Sequence, residues 1–271
     1  MKKQRKAFTL IELLVVISII ALLMSIMMPA LGQTKRIAQA TVCFSNLRHW
    51  GVIWRMFADD REDKFTDDLD WVVPLWPYYK DDKILLCPAA KKRGRRVDCR
   101  DNILGSKYEA WVAMIQFVDD EPEEEVYGSY GLNYWANDSG AAGSNWIKSN
   151  YLWHSPTLKG TFQAPLLCDS VNIGFAPLPT DTPPTYDDEP YWGCTNRDEI
   201  RASCINRHPN GTINVLFCDF AARKVGLKQL WDLKWYRNWP WDSKGQPVPP
   251  PNWSDPKFRW MSKFSHQPIA F

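Results

Sequence analysis

The feature that most constrains this chain is an uncharged apolar segment close to its N-terminus. From Leu13 to Leu31 the sequence has nineteen consecutive residues without Asp, Glu, Lys or Arg. A helix needs about 18 to 20 such residues to cross the hydrocarbon core of a bilayer. The segment is therefore predicted to be a transmembrane helix.

The residues before this segment predict its orientation. Lys2, Lys3, Arg5 and Lys6 precede it, and basic clusters stay on the cytoplasmic side of a membrane. We therefore expect a single-pass protein of the cytoplasmic (inner) membrane, with its N-terminus inside and its globular domain in the periplasm or another extracytoplasmic space. A cleaved secretory signal is a poorer interpretation, because its apolar stretch is only about 7 to 15 residues long. A plain signal anchor gives no reason for Glu12, the one charge between Ala7 and Gln33.

The sequence from Ala7 to Ile17, AFTLIELLVVI, resembles the cleavage and methylation signal of type IV prepilins and pseudopilins. The resemblance implies that a prepilin peptidase cuts between Ala7 and Phe8 and that the new amine of Phe8 is methylated. It also implies that Phe8 and Glu12 act in assembly, with the amine of one subunit reaching the carboxylate of a neighbour. Pro29 is at the position where pilin helices kink. The family prefers Gly before the cut, so Ala7 is a departure.

A second resemblance follows in the stretch Cys43–Gly51, CFSNLRHWG, which is similar to the helix-to-domain junction of a large pseudopilin-like family. Apolar residues recur here at three- and four-residue steps, as one face of a helix requires. They are Ile37, Ala40, Phe44, Leu47, Trp50, Trp54 and Phe57. One helix is therefore predicted from Phe8 to near Asp60, with a transmembrane half (8–33) and an amphipathic half (34–60).

A third resemblance lies near the C-terminus. The stretch Arg207–Phe220 is similar to the prepilin-associated H-x9-D-G domain, with His208 and Asp219 as the motif residues. Ten residues separate the two instead of nine, and Phe220 replaces the Gly. We expect a turn at 209–211, and Asp219 capping the next turn through backbone N–H groups. Without the Gly, positive φ after Asp219 is disfavoured. Smaller similarities are Cys87-Pro88, Ser129–Asn133 and Pro165–Asp169.

These patterns predict an α+β, pilin-like fold in which a long N-terminal helix packs on an antiparallel sheet domain with long loops. The leader is 1–7, the globular domain is 61–238, and a Pro- and Trp-rich tail occupies 239–271. The stretches Thr212–Phe217 and Ala222–Val225 are predicted to be paired strands, since β-branched and apolar residues follow a turn signal.

Seven cysteines are expected to face an oxidising compartment, which favours disulfides. The candidate pairs are Cys87 with Cys99, Cys194 with Cys204, and Cys168 with Cys218, leaving Cys43 unpaired. The sequence does not fix this connectivity. No C-x-x-C occurs and the four His do not cluster with Cys along the chain, so no metal site is predicted.

A calcium ion is an alternative for one acidic loop, as in some major pseudopilins. The loop carries Asp181, Asp187, Asp188 and Glu189. Their spacing is not that of an EF-hand, and an acidic surface loop is the favoured interpretation. We therefore predict no cofactor.

Composition narrows the function further. The net charge is +2, from 33 basic and 31 acidic residues, which argues against a nucleic-acid binder that neutralises phosphates. Fifteen Trp indicate an aromatic core, with a sugar-stacking surface as the alternative. A hydrolase using His208 and Asp219 is a second alternative, but no catalytic motif accompanies these two residues.

The function predicted best is therefore that of a pseudopilin, a non-enzymatic structural subunit of a type II secretion or type IV pilus-like filament. Its partners are expected to be the prepilin peptidase, other pilin-like subunits contacting the N-terminal helix, and membrane lipid. The carbohydrate-binding module and the hydrolase remain alternatives, and neither accounts for the leader.

Overall fold

The long N-terminal helix of the computed structural model, α1, runs over Leu10–Asp59 and confirms the helix predicted from the sequence. The structure describes residues 10–97, 103–117, 122–138, 149–189, 199–241 and 246–266. Internal contacts divide the chain into two units, Met1–Ala38 and Gln39–Phe271. The second half of α1 therefore belongs to the same unit as the globular domain. Pro29 lies inside the continuous helix, and the kink predicted there stays a prediction.

The second half of α1 forms one wall of the hydrophobic core. Its buried residues recur at three- and four-residue steps, which is the stripe expected of an amphipathic helix. They are Ala40, Cys43, Leu47, Trp50, Gly51, Ile53, Trp54, Phe57 and Ala58. The ring of Trp50 packs edge-on against Trp71 and Tyr79, each at 5.0 Å between centroids. The helix thus contributes large aromatic side chains to the interior of the domain.

The remaining helices are short. One α-helical turn, α2, covers Val72–Leu75. The 3-10 turns are Trp76–Tyr78, Asp82–Leu85, Ser149–Tyr151, Thr161–Gln163, Glu199–Ala202, Leu227–Asp232 and Pro256–Met261.

Within the described residues, ten strands form two sheets. The strands are β1 Lys92–Arg93, β2 Arg96–Val97, β3 Ile103–Leu104, β4 Glu109–Ile115, β5 Glu124–Gly128, β6 Tyr130–Asn133, β7 Pro165–Asp169, β8 Gly174–Phe175, β9 Thr212–Phe217 and β10 Ala222–Gly226. In the first sheet, β4 pairs with β1, β3 and β5. The second sheet has the order β10-β9-β7-β6-β8, antiparallel except for the β6–β8 pair. The architecture is the α+β, pilin-like arrangement that the sequence predicted.

The second sheet is covered on both faces. Successive side chains of a strand point to opposite faces, and β9 divides accordingly. Its residues Ile213, Val215 and Phe217 join one buried cluster, whereas Leu216 joins the cluster that contains the helix. Most described tryptophans lie in these two cores, and five are at most 1% exposed: Trp50, Trp54, Trp71, Trp111 and Trp235. The Trp content is therefore accounted for mainly by an aromatic core.

The hairpin β9–β10 confirms the paired strands and corrects one expectation. Asn210 and Gly211 both have positive φ in the turn before β9, as the Asn-Gly pair predicted. Phe220 also has positive φ, at 64°, although the loss of Gly there was expected to disfavour it. Tertiary packing explains the difference, since the Phe220 ring packs edge-on against Phe65 at 6.3 Å. The Phe220 backbone also packs closely on α1: a Cβ added at Gly51 would come within 2.5 Å of the Phe220 carbonyl oxygen.

Candidate functional site

The first half of α1 presents apolar side chains that the described part of the chain leaves exposed. Large hydrophobic residues between Leu10 and Leu31 are 46 to 84% exposed. The hydroxyls in this region are satisfied within the helix: Ser18 donates to the carbonyl of Val15 at 2.8 Å, and Ser25 to that of Leu22 at 2.7 Å. The helix is long and apolar enough to cross a membrane. These are properties that a lipid environment demands of a helix.

Glu12 lies in the first turn of α1 and is exposed. A carboxylate there interacts favourably with the positive end of the helix dipole. Ala7 and Phe8, the residues of the predicted cleavage, lie outside the described residues. Cleavage between Ala7 and Phe8 therefore stays a prediction.

A second candidate site lies inside the domain, where sequence spacing did not indicate one. Four side chains from distant segments converge: Cys43 of α1, Cys87, Asp169 at the end of β7, and His208 just before β9. One potential ligand atom from each lies within 4.8 Å of every other. All four residues are buried, with exposures of 0% or 1%. We refer to these four residues as the Cys/His cluster.

The distances within the Cys/His cluster are short. Sγ of Cys43 lies 3.5 and 3.6 Å from the two carboxylate oxygens of Asp169. Nε2 of His208 lies 3.0 Å from Oδ2 of Asp169 and 3.7 Å from Sγ of Cys87. Nδ1 of the imidazole is buried, and no described residue accepts a hydrogen bond from it. Nε2 is therefore the nitrogen that faces the other members of the cluster.

A layer of hydrogen bonds surrounds the Cys/His cluster. The fully buried Arg207 donates to Oδ1 of Asp169 at 3.2 Å, and to the backbone carbonyls of Ser106, Ser129 and Ser170. The backbone N–H of Asn214 donates to Oδ2 of Asp169 at 2.9 Å, and the Tyr130 hydroxyl donates to Sγ of Cys43 at 3.4 Å. These contacts fix the orientation of the carboxylate and of one sulfur.

The electrostatics of the Cys/His cluster favour the charged forms of Cys87, Asp169 and His208 despite burial, but the neutral thiol of Cys43. Burial raises the pKa of Cys43, and contacts with Cys87 and Asp169 raise it further. Burial also opposes ionisation of Cys87, but hydrogen bonds from Cys43 and His208 lower its pKa to about 6. Burial disfavours the imidazolium of His208, yet Asp169 raises its pKa to about 9. Burial likewise acts against the Asp169 carboxylate, but His208 and Arg207 hold its pKa well below its usual range.

Cys87, His208 and Asp169 are the residue types of a cysteine nucleophile, its base and an orienting acid, although Cys87 and Asp169 both contact the same imidazole nitrogen, Nε2. A nucleophile must meet a substrate, however, and Cys87 and Asp169 are 0% exposed. The cluster therefore fits a structural role better than a catalytic one.

The predicted pair His208 and Asp219 is not brought together as a base and its orienting acid. The carboxylate partner of His208 is Asp169, whereas Asp219 forms an ion pair with Arg223 at 2.6 Å. Oδ1 of Asp219 also accepts from the backbone N–H of Ala221 at 3.0 Å, which is the turn-capping contact that the sequence predicted. The contacts of Asp219 stabilise the β9–β10 turn.

The cysteines depart from the predicted pairing. The five in the described part of the chain, Cys43, Cys87, Cys168, Cys204 and Cys218, are free thiols. Cys168 and Cys218 do lie on or beside neighbouring strands, but their side chains enter different cores, so the pair does not form. Cys87 is near His208 instead. Cys99 and Cys194, the predicted partners of Cys87 and Cys204, lie outside the described residues.

The acidic loop considered for calcium forms contacts of its own. Each of its carboxylates accepts hydrogen bonds from the chain: Asp181 from the Leu178 and Ile200 backbone, Asp187 from Lys107 Nζ, Asp188 from the Lys107 backbone, and Glu189 from Arg201. Among the described residues, the one group with metal-ligand geometry is the Cys/His cluster, which contains none of these acids. These contacts favour an acidic loop whose carboxylates are held by N–H donors of the loop and of neighbouring segments.

Comparison with known proteins bears on the N-terminus alone. Residues 2–28 match the family model described as the prokaryotic N-terminal methylation motif. No curated protein and no solved structure matches the chain. The match covers a small part of the chain and does not reach the C-terminal domain. The chain thus carries a prepilin-like N-terminal signal on a long apolar helix, as expected of a membrane-anchored, peptidase-processed, pilin-like protein.

Proposed function

We propose that the chain is a pseudopilin-like structural subunit that assembles, through the first half of α1, into a type II secretion or type IV pilus-like filament. The observation that carries this proposal is the exposed apolar surface of α1 between Leu10 and Leu31, most of which lies within the match to the methylation motif at residues 2–28. Such a surface is unstable in water and needs lipid or other helices around it. Lipid covers it before assembly, and equivalent helices cover it in a filament.

Glu12 gives the assembly its register. A carboxylate costs about 2.5–3.5 kcal/mol at the centre of a bilayer, and less near its surface, so a charged partner is favourable. Cleavage before Phe8 creates a positive amine that can reach Glu12 of a neighbouring subunit. The basic residues at positions 2–6 keep this end on the cytoplasmic side, and the domain lies outside the cytoplasm.

The domain is proposed to be structural and not an enzyme. The buried Cys/His cluster is closed to substrates, and the two motif residues of the hydrolase alternative have separate partners. The carbohydrate alternative loses its main support because most described tryptophans are buried. Two described ones, Trp76 and Trp241, are 40% and 47% exposed, and a glycan array on the domain would detect sugar binding by them.

The N-terminus of the mature protein tests the processing step. We expect mass spectrometry of the membrane fraction to find a chain that begins at a methylated Phe8 and retains the apolar helix. Deleting the prepilin peptidase should leave the full leader in place. A mature terminus close to Gly32 would identify a cleaved secretory signal and contradict the proposal.

The Glu12→Leu variant tests assembly. It should be inserted, cleaved and folded like the wild type, but should not enter filaments or the secretion complex. Cysteines introduced along the first half of α1 would report subunit contacts by crosslinking. Ser18→Leu is the matched control, since it also removes a polar group from this segment and should preserve crosslinking. Unchanged crosslinks in the Glu12→Leu protein would show that apolar contacts alone set the register.

A further inference from the structure

We propose that the Cys/His cluster is a structural zinc site, which holds the second half of α1 to the sheet of the domain. Two cysteines, one histidine and one carboxylate form a ligand set that suits Zn²⁺, which takes sulfur, nitrogen and oxygen ligands in a tetrahedron. The proposal rests on the geometry of the domain interior and is independent of what the filament does.

All six separations between the ligand atoms are at most 4.8 Å, and three of them can be compared with the distances that a tetrahedral zinc ion requires. With Zn–S of about 2.3 Å and Zn–N or Zn–O of about 2.0 Å, neighbouring ligand atoms lie roughly 3.3 to 3.8 Å apart. Cys43 Sγ and the Asp169 oxygens are 3.5 and 3.6 Å apart, and Cys87 Sγ and His208 Nε2 are 3.7 Å apart. The contact of His208 Nε2 with Asp169 Oδ2, at 3.0 Å, needs to lengthen by a few tenths of an ångström.

The charges around the site also balance. Two thiolates and one carboxylate carry three negative charges, and Zn²⁺ with the guanidinium of Arg207 carries three positive ones. Arg207 has a fully buried side chain and lies 3.2 Å from Asp169. A buried charge is unfavourable unless it is compensated, so a neutral group of ligands, ion and Arg207 suits this interior.

Neighbouring groups supply outer contacts to two of the four ligands, Asp169 and Cys43, of the kind that metal ligands have in known sites. Arg207 and the Asn214 backbone donate to Asp169, and the Tyr130 hydroxyl donates to Cys43. Such hydrogen bonds orient ligands and raise metal affinity. Because four protein ligands surround the site and all are buried, no position is left for a substrate. The geometry is therefore that of a structural ion rather than a catalytic one.

The four ligands come from parts of the chain that are far apart in sequence. Cys43 is 126 residues from Asp169, and Cys87 is 121 residues from His208. An ion bound here would crosslink α1, the segment after the 3-10 turn Asp82–Leu85, the end of β7 and the start of the β9–β10 hairpin. Its binding energy would contribute to folding, since the unfolded chain has no such site.

Two other states compete with the ion. In one, the cluster remains a hydrogen-bonded network of a thiolate, an imidazolium and a carboxylate. In the other, Cys43 and Cys87 are oxidised to a disulfide, which requires an oxidant in the extracytoplasmic compartment to remove two protons and two electrons from the two thiols. Each state makes a different prediction for metal content and free thiols.

Metal analysis of the full-length protein, purified in detergent without chelator, tests the proposal. We expect about one zinc ion per chain, as for a closed structural site. After removal of the ion with a chelator, Co²⁺ should restore it and give thiolate-to-cobalt charge transfer with the intense visible bands of tetrahedral cobalt. Chelation should also lower the melting temperature, and added Zn²⁺ should recover it.

Matched cysteine variants locate the site. Cys43→Ala and Cys87→Ala should each abolish stoichiometric zinc, whereas Cys204→Ala should retain it. Cys204 is the control because it is also a buried free thiol but is not a member of the cluster. The chelation and cobalt measurements on the wild type keep the test decisive if a variant does not fold.

Three outcomes would overturn the zinc site. Wild-type protein that contains no stoichiometric metal and shows no tetrahedral cobalt spectrum would identify a metal-free network. A Cys43–Cys87 disulfide, found by peptide mapping without reduction, would identify the oxidised state. Equal zinc loss in Cys204→Ala and Cys87→Ala would mean that the ion binds elsewhere.

Discussion

The two halves of α1 share one secondary structure and differ in what surrounds them. Between Leu10 and Leu31 the large apolar residues are all substantially exposed, whereas Leu47, Trp50 and Trp54 in the second half are 0% exposed. In the second half, the buried apolar residues form one stripe, and the opposite face mixes charged and polar side chains with a few exposed apolar ones such as Val42 and Val52. The first half is apolar on every side. A helix of this kind has no preferred core face within its own chain, which indicates that its solvent is lipid or other helices.

Among the variants that test this difference between the two halves of α1, Trp50→Ala should have the largest effect. The variant should lower the free energy of unfolding by about 3–5 kcal/mol, because it leaves a large cavity in the core. It also removes the donor that binds the carbonyl of Ile84 at 3.0 Å. Leu14→Ala, in the exposed half, should leave domain stability unchanged. Urea denaturation of both proteins in detergent, followed by near-UV circular dichroism, measures this, and equal losses would contradict the division of α1.

A lysine substitution should have the opposite pattern: it should harm the first half of α1 more than the second. Leu22 and Val52 have nearly the same exposure, 62% and 60%, but lie in different halves. Leu22→Lys should reduce membrane insertion, since a Lys at the centre of a membrane helix costs about 2.5–3.5 kcal/mol. Val52→Lys should be tolerated, because its surroundings are aqueous. Carbonate extraction of membranes measures insertion. Equal retention of the two variants in the membrane would contradict the claim that the two halves of α1 have different surroundings.

Glycine substitution gives a smaller contrast. A Cβ on Gly51 would come within 2.5 Å of the Phe220 carbonyl oxygen, whereas one on Gly32 meets nothing within 4 Å in the described structure. Gly51→Ala should therefore destabilise the domain by about 1–3 kcal/mol, which exceeds its gain in helix propensity. Gly32→Ala should fold at least as well as the wild type. Thermal melts of the two variants decide this, and a stabilised Gly51→Ala protein would show that the Phe220 turn moves freely.

The smallest expected effect concerns the turn that meets the second half of α1. Asp219→Ala should cost on the order of 1 kcal/mol, because it removes the acceptor of the Ala221 N–H and the partner of Arg223. Asp219→Asn keeps an oxygen for the N–H and should lose less. If Asp219→Ala melts like the wild type and yet loses filament assembly, the residue has a functional role rather than a structural one.

The parts of the fold that depend on local pattern were predictable from the sequence. The C-terminal end of α1, the β9–β10 hairpin and the turn at 210–211 follow from apolar periodicity and turn residues. The positive φ of Phe220 was not predictable, because it depends on Phe65 and Gly51, which are distant in sequence. Long-range packing decided the backbone there against the local preference.

The Cys/His cluster was missed for the same reason. Spacing rules look for ligands that are close in sequence, but these four come from four separate segments. The usable signal was the set of short motif similarities around Cys43, Cys87, Asp169 and His208, which the fold brings to one point. The Cys168–Cys218 pair failed because adjacency of two strands does not place their side chains on the same face.

Because α1 packs against β9, the domain cannot complete its core until most of the chain has been synthesised. The Asn214 side chain donates to the carbonyl of Ala40 at 3.2 Å, across 174 residues of sequence. Contacts between such distant residues slow folding, because the chain must lose the entropy of closing a long loop before the contact can contribute any stability. In the topology proposed above, α1 is synthesised first, and the buried face of its second half stays without β9 until residue 214 has followed it across the membrane. Until then the rings of Trp50 and Trp54 are without their core, and this is the stage of the proposed export at which the chain is most exposed to aggregation.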